Sequence, residues 1–411
     1  MRRFLIPGVG LIFFLLLATL MGCASSPFSA APVTSATPLP PPPPRSPLPL
    51  PLPEPAPMPA PETRPVSPPA AEIVVTPLDP RPDALPADGH IALLLPLRSR
   101  DFSRAAEMVR EGFEAAAALQ ADQARSIKVY PTDNEGDALL AAYQQATAAG
   151  ARCIVAGVTR DGAAAIAASA IINVPTLVLN SVERGQIPSA PFYTLSLSLD
   201  DEARQLARLI AGQGRRRAAL IAGPMTLSKR VRDAFEQEWV AAGGEISAKI
   251  DISRDPAQYS KLRAALQSAE VIFIAAESAV VRQLRPYIAT GVPMYATSQA
   301  YDGRATPGAN VDLQDIRFID MPWLVEPAHA AVAVYPRSSK PVSADLDRLY
   351  ALGIDAYRLA HLLAASDARS IRSLDGVTGR ITLEDGYRFQ RELTAAQFVG
   401  SEVQPLTSPL Q

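Results

Sequence analysis

The chain has 411 residues, 48% of them apolar and 19% charged, enough to bury one large domain or two lobes. A net charge of −2 and a pI near 6 exclude a whole-molecule positive field of the kind that gathers nucleic acid or an anionic membrane surface. Proline is unevenly spread: 22 of 40 lie between Pro32 and Pro86, which excludes a packed domain there and starts the folded portion near residue 88.

At the N-terminus, Arg2 and Arg3 precede an acid-free apolar stretch from Phe4 to Met21, the layout of a secretory signal. It ends in Leu20, Met21, Gly22 and Cys23, a bacterial lipobox in which small residues admit the peptidase and the thiol is acylated. A signal peptide over 1–22 and a lipid on Cys23 are therefore expected. More than one acyl chain, at ~0.8 kcal/mol per buried methylene, would hold the protein on a membrane. The residues after the cysteine, Ala24, Ser25 and Ser26, include no Asp of the kind that retains lipoproteins in the inner membrane, so the expected place is the periplasmic face of the outer membrane.

Residues 23–87 read as a lipidated N-terminus and Pro-rich linker. Alternating Pro, Leu and Ala, with Pro40 to Pro44 in one block, favours polyproline II. At ~3.1 Å per residue, the span from 32 to 86 reaches at most roughly 170 Å.

From His90 onward, short apolar strands alternate with helical periodicity, the pattern of parallel βαβ units. Ile91 to Leu95 suits a strand covered on both faces, and Phe102, Ala106, Val109, Phe113 and Ala116 line one helix face. The first series continues with strands at 127–130, 153–156 and 176–179 and helices at 135–149 and 161–171. A second series follows a helix opened by Asp200, Asp201 and Glu202. It has strands at 218–222, 246–252, 271–275 and 293–296 and helices at 227–242, 258–267 and 278–289. A long helix runs through Leu346 to Leu363, and Glu384, Asp385 and Gly386 turn a closing hairpin. Cys153, inside an apolar strand, reads as a buried, unpaired thiol.

Two such α/β lobes resemble the type I periplasmic binding protein fold: two doubly wound, Rossmann-like lobes over 88–411. More specifically, HIALLLPL at 90–97, FSRAAEMVREGFEAA at 102–116, RFIDMPWL at 317–324, ALGIDAYRLA at 351–360 and DGVTGRITLEDGYRFQREL at 375–393 resemble the C-terminal domain of the LppC lipoprotein family, which includes penicillin-binding protein activators. Longer members carry a helical repeat domain where this chain has its proline linker. By analogy with the fold, chain crossings are expected near 197, 298 and 371. One lobe then comprises 88–196 with 299–370, and the other 198–297 with 374–403. The resemblance implies a bifunctional class A penicillin-binding protein as partner, with membrane contact through the lipid.

Open α/β lobes bind ligands beyond the carboxyl ends of their strands. That rule selects Arg98, Ser99, Thr159, Arg160, Asn180 and Ser181 in one lobe, and Thr226, Glu277 and Tyr301 in the other. Arg98 and Arg100 stand where amino-acid binders of this fold have small polar residues, so a cleft without a dedicated ligand and a cleft for a small polar or anionic ligand are both open. No HExxH, GxSxG or GxxxxGK[ST] motif is present, and His90, His329 and His361 lie in unrelated contexts. Glu326 and His329 have a metal-like spacing, but Pro327 breaks the helix that would align them. No enzyme activity, cofactor, metal or nucleic-acid partner is expected. The main reading is a regulator of cell-wall synthesis, and the alternative is a solute-binding or sensor lipoprotein.

Overall fold

The computed structural model describes residues 89–406 except 121–124, 134–135, 190, 254–258, 261, 289–290, 304–307, 339–342 and 366–367. The expected signal peptide, Cys23 and the linker lie outside the described residues. No helix among the described residues is long and apolar enough to cross a membrane.

Alternation of side chains across a strand decides which core each residue joins. In β1 (His90–Leu95), Ile91, Leu93 and Leu95 face one helical layer, while Ala92 and Leu94 face the other, so all six residues are buried. The first layer holds α1 (Ser103–Leu119) and, from far along the chain, α10 (Ala344–Ala365). The second holds α2 (Asp137–Ala148) and α3 (Arg160–Ala168). Around β1 the parallel strands are β2 (Ser126–Pro131), β3 (Ala151–Ala156), β4 (Thr176–Val178) and β5 (Phe192–Leu195).

The second series repeats this plan. It contains α4 (Leu199–Gly212), β6 (Arg217–Ala222), α5 (Thr226–Ala241), β7 (Glu245–Asp251), α6 (Leu262–Ala265), β8 (Val271–Ala275), α7 (Ser278–Leu284), β9 (Met294–Ala296) and β10 (Ile316–Asp320). Two short helices, α8 (Pro322–Val325) and α9 (Ala330–Ala333), precede α10. The chain closes with β11 (Leu374–Gly376), β12 (Gly379–Glu384), β13 (Arg388–Glu392), β14 (Thr394–Val399) and β15 (Glu402–Pro405). Of the helix expected at 258–267, only the four residues of α6 form an α-helix among the described residues.

The sheet orders are β11-β12-β13-β5-β4-β3-β1-β2 and β15-β14-β10-β9-β8-β6-β7. They correct the expected division of the lobes. β10, assigned above to the first lobe, pairs in parallel with β9 and completes the second sheet. Conversely, β11 to β13, assigned to the second lobe, extend the first sheet through a parallel pairing of β13 with β5. Only β14 and β15 join the second. The chain therefore crosses at 196–198 as expected, but next after Asp320 rather than near 298, and last at Leu393 rather than near 371. Periodicity shows that β10 is buried on both faces without saying which sheet receives it. That choice is made by Phe318, which stacks on Phe398 of β14 with ring centroids 4.7 Å apart.

The Asp-Gly turn forms as the sequence indicates. Asp385 and Gly386 both have positive φ (53° and 79°), and the Tyr387 amide donates to the Glu384 carbonyl at 3.2 Å, a type I′ turn between β12 and β13.

Candidate functional site

The residues expected to line a cleft do lie at the carboxyl ends of parallel strands, but several are occupied in local structure. Thr159 caps α3, its Oγ1 accepting from the Gly162 amide at 3.1 Å. Asn180 bridges two loops: its Nδ2 donates to the Val158 carbonyl at 2.8 Å and its Oδ1 accepts from the Ser181 amide at 2.9 Å. Ser99 accepts from the Phe102 amide ahead of α1, and Arg98 is exposed beside Asp133. Arg160, Thr226 and Glu277 are exposed at the starts of α3, α5 and α7. Tyr301 is not a cleft residue: it is buried against Phe318 and Phe398. A side-chain centre that gathers all nine is not formed. An open cavity of about 520 Å³ does lie beyond β6 and β7, lined by Pro224, Met225, Lys229, Asp251, Ile252 and Ser253.

Polar chemistry concentrates elsewhere, where the three crossings meet. Asp320 ends β10 and Arg348 rises from the second turn of α10; both are buried. Arg348 donates to both Asp320 oxygens, at 2.7 and 3.2 Å, and its Nη2 also reaches the Ser298 and Tyr301 carbonyls at 3.0 and 2.9 Å. A bidentate charge-assisted pair of this kind fixes direction as well as distance. Its guanidinium is held above the ordinary arginine range: burial opposes the charge, but Asp320 outweighs it.

Glu202, in the first turn of α4, is buried and accepts from the Ser298 amide at 3.0 Å. Burial, with Asp320 as a second cause, pushes its carboxyl up to about 7, against the pull of Arg391 and the Ser298 bond. Arg391 of β13 donates to the carbonyls of Ser196, at the first crossing, and Thr378. Desolvation lowers its pKa. Gln205, one turn beyond Glu202, exchanges two hydrogen bonds with the backbone of Leu393, the third crossing, each 3.2 Å. A cavity of about 10 Å³, room for about one water, opens on this cluster between Ser196, Ser198, Glu202, Arg391 and Leu393.

Sequence reasoning missed this cluster. Glu202 was assigned to a helix start, and Asp320 stood unremarked inside the DMPWL segment. The available clue was a charged residue ending an apolar strand. Glu326 and His329 do not pair on a metal: His329 Nδ1 accepts from the Ala331 amide, and Glu326 approaches Thr394. No group of three or more His, Cys, Asp or Glu side chains able to hold a metal occurs among the described residues.

Two doubly wound lobes joined by three crossings define the type I periplasmic binding protein architecture. Within that class, the chain belongs to the family described as "LppC putative lipoprotein", whose model matches residues 87–400. It is similar to "Penicillin-binding protein activator LpoA" of Photobacterium profundum, 22% identical over 77% of this chain and 57% of that protein. Among solved structures, a Chromobacterium violaceum protein described as a "putative branched-chain amino acid ABC transporter" is 38% identical, with a TM-score of 0.66 over 76% of this chain and all of that one. The LpoA C-domain of Haemophilus influenzae, described as a regulator of PBP1A, is 22% identical, with a TM-score of 0.63 over 78% of this chain and all of that domain. The chain spans about half the length of the curated relatives it matches.

Proposed function

We propose that this protein is a non-catalytic lipoprotein, anchored through Cys23 to the periplasmic face of the outer membrane, that presents its two-lobed domain to a class A penicillin-binding protein and regulates peptidoglycan synthesis. The observation that carries this reading is the LppC match over 87–400, which coincides with the two-lobed body shared with the activators. The lipobox and the linker supply an anchor and reach. The test is to crosslink intact envelopes, recover the full chain with its partners, and add purified full chain to a class A synthase in a glycan polymerisation assay. Recovery of the synthase and a changed polymerisation rate are expected. Failure of both overturns the reading.

A second reading, a solute-binding or sensor lipoprotein, draws on the 38% identity to the Chromobacterium protein. A ligand of the folded state raises thermal stability by RT ln(1 + [L]/Kd). A screen of amino acids and small carboxylates against the full chain separates the two: a saturable shift supports the solute reading, and no shift removes it.

A further inference from the structure

The lobes are held together by charged groups as well as by apolar packing. Arg348 belongs to α10, which packs on α1 in the first lobe, whereas Asp320, Ser298 and Tyr301 belong to the second. A change in the angle between the lobes must therefore stretch or break four hydrogen bonds from one guanidinium. Arg391 and Gln205 tie the first and third crossings to the same spot. The resulting hinge has a fastened arrangement and, once Arg348 is released, a looser one. Such bistable contacts are how small local events become lobe movements.

The fastened arrangement has built-in costs. Thr297 Oγ1 and Gln299 Oε1, on either side of Ser298, are buried without a hydrogen-bond partner among the described residues, and both would gain water if the lobes parted. Glu202 is buried with the Asp320 carboxylate nearby. The other charged and titratable groups of the cluster are Arg348 and Asp345 of α10, Arg391 of β13, Asp355 behind Arg391, Asp201 on α4 and the Tyr301 phenol. The two arginines favour ionised Glu202, while burial and Asp320 favour the proton. The water-sized cavity beside Glu202 gives that proton a route.

We propose that the Arg348, Asp320 and Glu202 cluster is a proton-sensitive lock on the angle between the two lobes, fastened when Glu202 is protonated and loosened when it ionises. This goes beyond the regulatory reading above and holds whether or not a synthase binds. A proton shifts a two-state equilibrium only through its different affinity for the two states. With Glu202 at about 7 when locked and in the ordinary carboxylate range when solvated, the locked-to-loose ratio falls by up to roughly 300-fold between pH 4.5 and well above pH 7.

The test places spin labels on the full chain at Arg160→Cys in the first lobe and Glu277→Cys in the second, both exposed, and measures their distance distribution at pH 5.5 and 8.5. Cys153 is fully buried and does not label. A single narrow distance is expected at pH 5.5, with a second, distinct population growing at pH 8.5. Glu202→Gln should keep the narrow distance at both pH values, and Arg348→Met should show the second population at both. If Arg348→Met lacks native circular dichroism, Asp320→Asn, which keeps the shape and removes the charge, takes its place. Identical wild-type distributions at the two pH values, or a folded lock variant with the wild-type distribution, overturn the proposal.

Discussion

Gly353 of α10 lies so close to Val109 of α1 that a Cβ added to it would stand 2.1 Å from the Val109 carbonyl oxygen. One turn away the relation is reciprocated: a Cβ on Gly112 of α1 would stand 1.9 Å from the Tyr350 carbonyl oxygen. These two glycines let the helix from the start of the domain and the helix from beyond the second crossing touch backbone to backbone. Phe113 then meets Tyr357 edge to face, with ring centroids 5.2 Å apart.

Gly353→Ala should therefore destabilise the domain although alanine is the better helix former. The helix gains about 1 kcal/mol of propensity, but the methyl forces the backbones apart, an overpacking cost of about 1–3 kcal/mol or more. Urea denaturation should show a lower midpoint. A midpoint at or above wild type would mean that α10 shifts freely and that the contact is unimportant.

Asp355, fully buried on α10, accepts from the Val377 and Thr378 amides, from the Thr378 hydroxyl and from Arg358, and so fastens the turn between β11 and β12. Asp355→Ala leaves two buried amides without their acceptor and should cost about 3–5 kcal/mol, the range for breaking a buried charged network. Hydrogen exchange at Val377 and Thr378 should accelerate ahead of the rest of the first sheet. Unchanged protection would assign that turn to some other contact.

The alternating elements were legible because β1, β3, β6 and β8 are nearly unbroken apolar runs with helical periodicity between them. Lobe membership was not, because it depends on pairings across hundreds of residues, such as Arg388 with Thr194 and Asp320 with Thr394. The cleft loops were found by the strand-end rule, yet that rule cannot distinguish a ligand-facing threonine from one already capping its own helix. The polar cluster at the crossings was invisible for a related reason: Glu202, Asp320, Arg348 and Arg391 are far apart in sequence, and each has an ordinary local role.

Thr159 and Asn180 separate those roles experimentally. As local anchors, they stabilise the unliganded domain, so Thr159→Ala should cost about 1 kcal/mol through the lost cap. Asn180→Ala should cost about 1–3 kcal/mol through the unpaired Val158 carbonyl and Ser181 amide. Thermal denaturation without added ligand is the measurement. Residues that served a ligand alone would leave that transition unmoved.

Glu202 should also leave a signature in stability. Its folded pKa lies above the unfolded carboxylate value of 4.5, so the folded state holds the proton more tightly. The stabilisation is complete below about pH 4.5 and lost as pH rises through about 7, a span of about 3 kcal/mol. Glu202→Gln keeps an oxygen for the Ser298 amide and cannot ionise. The difference in unfolding free energy between variant and wild type should therefore grow in the variant's favour from pH 4.5 to 8, and a flat difference would place Glu202 in contact with water.

The linker yields a prediction about reach. If Cys23 is lipidated at the outer membrane, the domain can meet a partner only within the distance its linker allows, at most roughly 170 Å for the proline-rich residues 32–86. Deleting half of that segment roughly halves this upper limit while leaving the lipid signal and the two lobes unchanged. Effective concentration at a distant partner falls to near zero once a linker cannot span the gap. Envelope crosslinking to a synthase should then be lost, while the same shortened chain, added in detergent solution where no gap exists, should bind and act as the full chain does. Loss in both settings would point to linker sequence as a contact, and loss in neither would show that the spacer's length is not used.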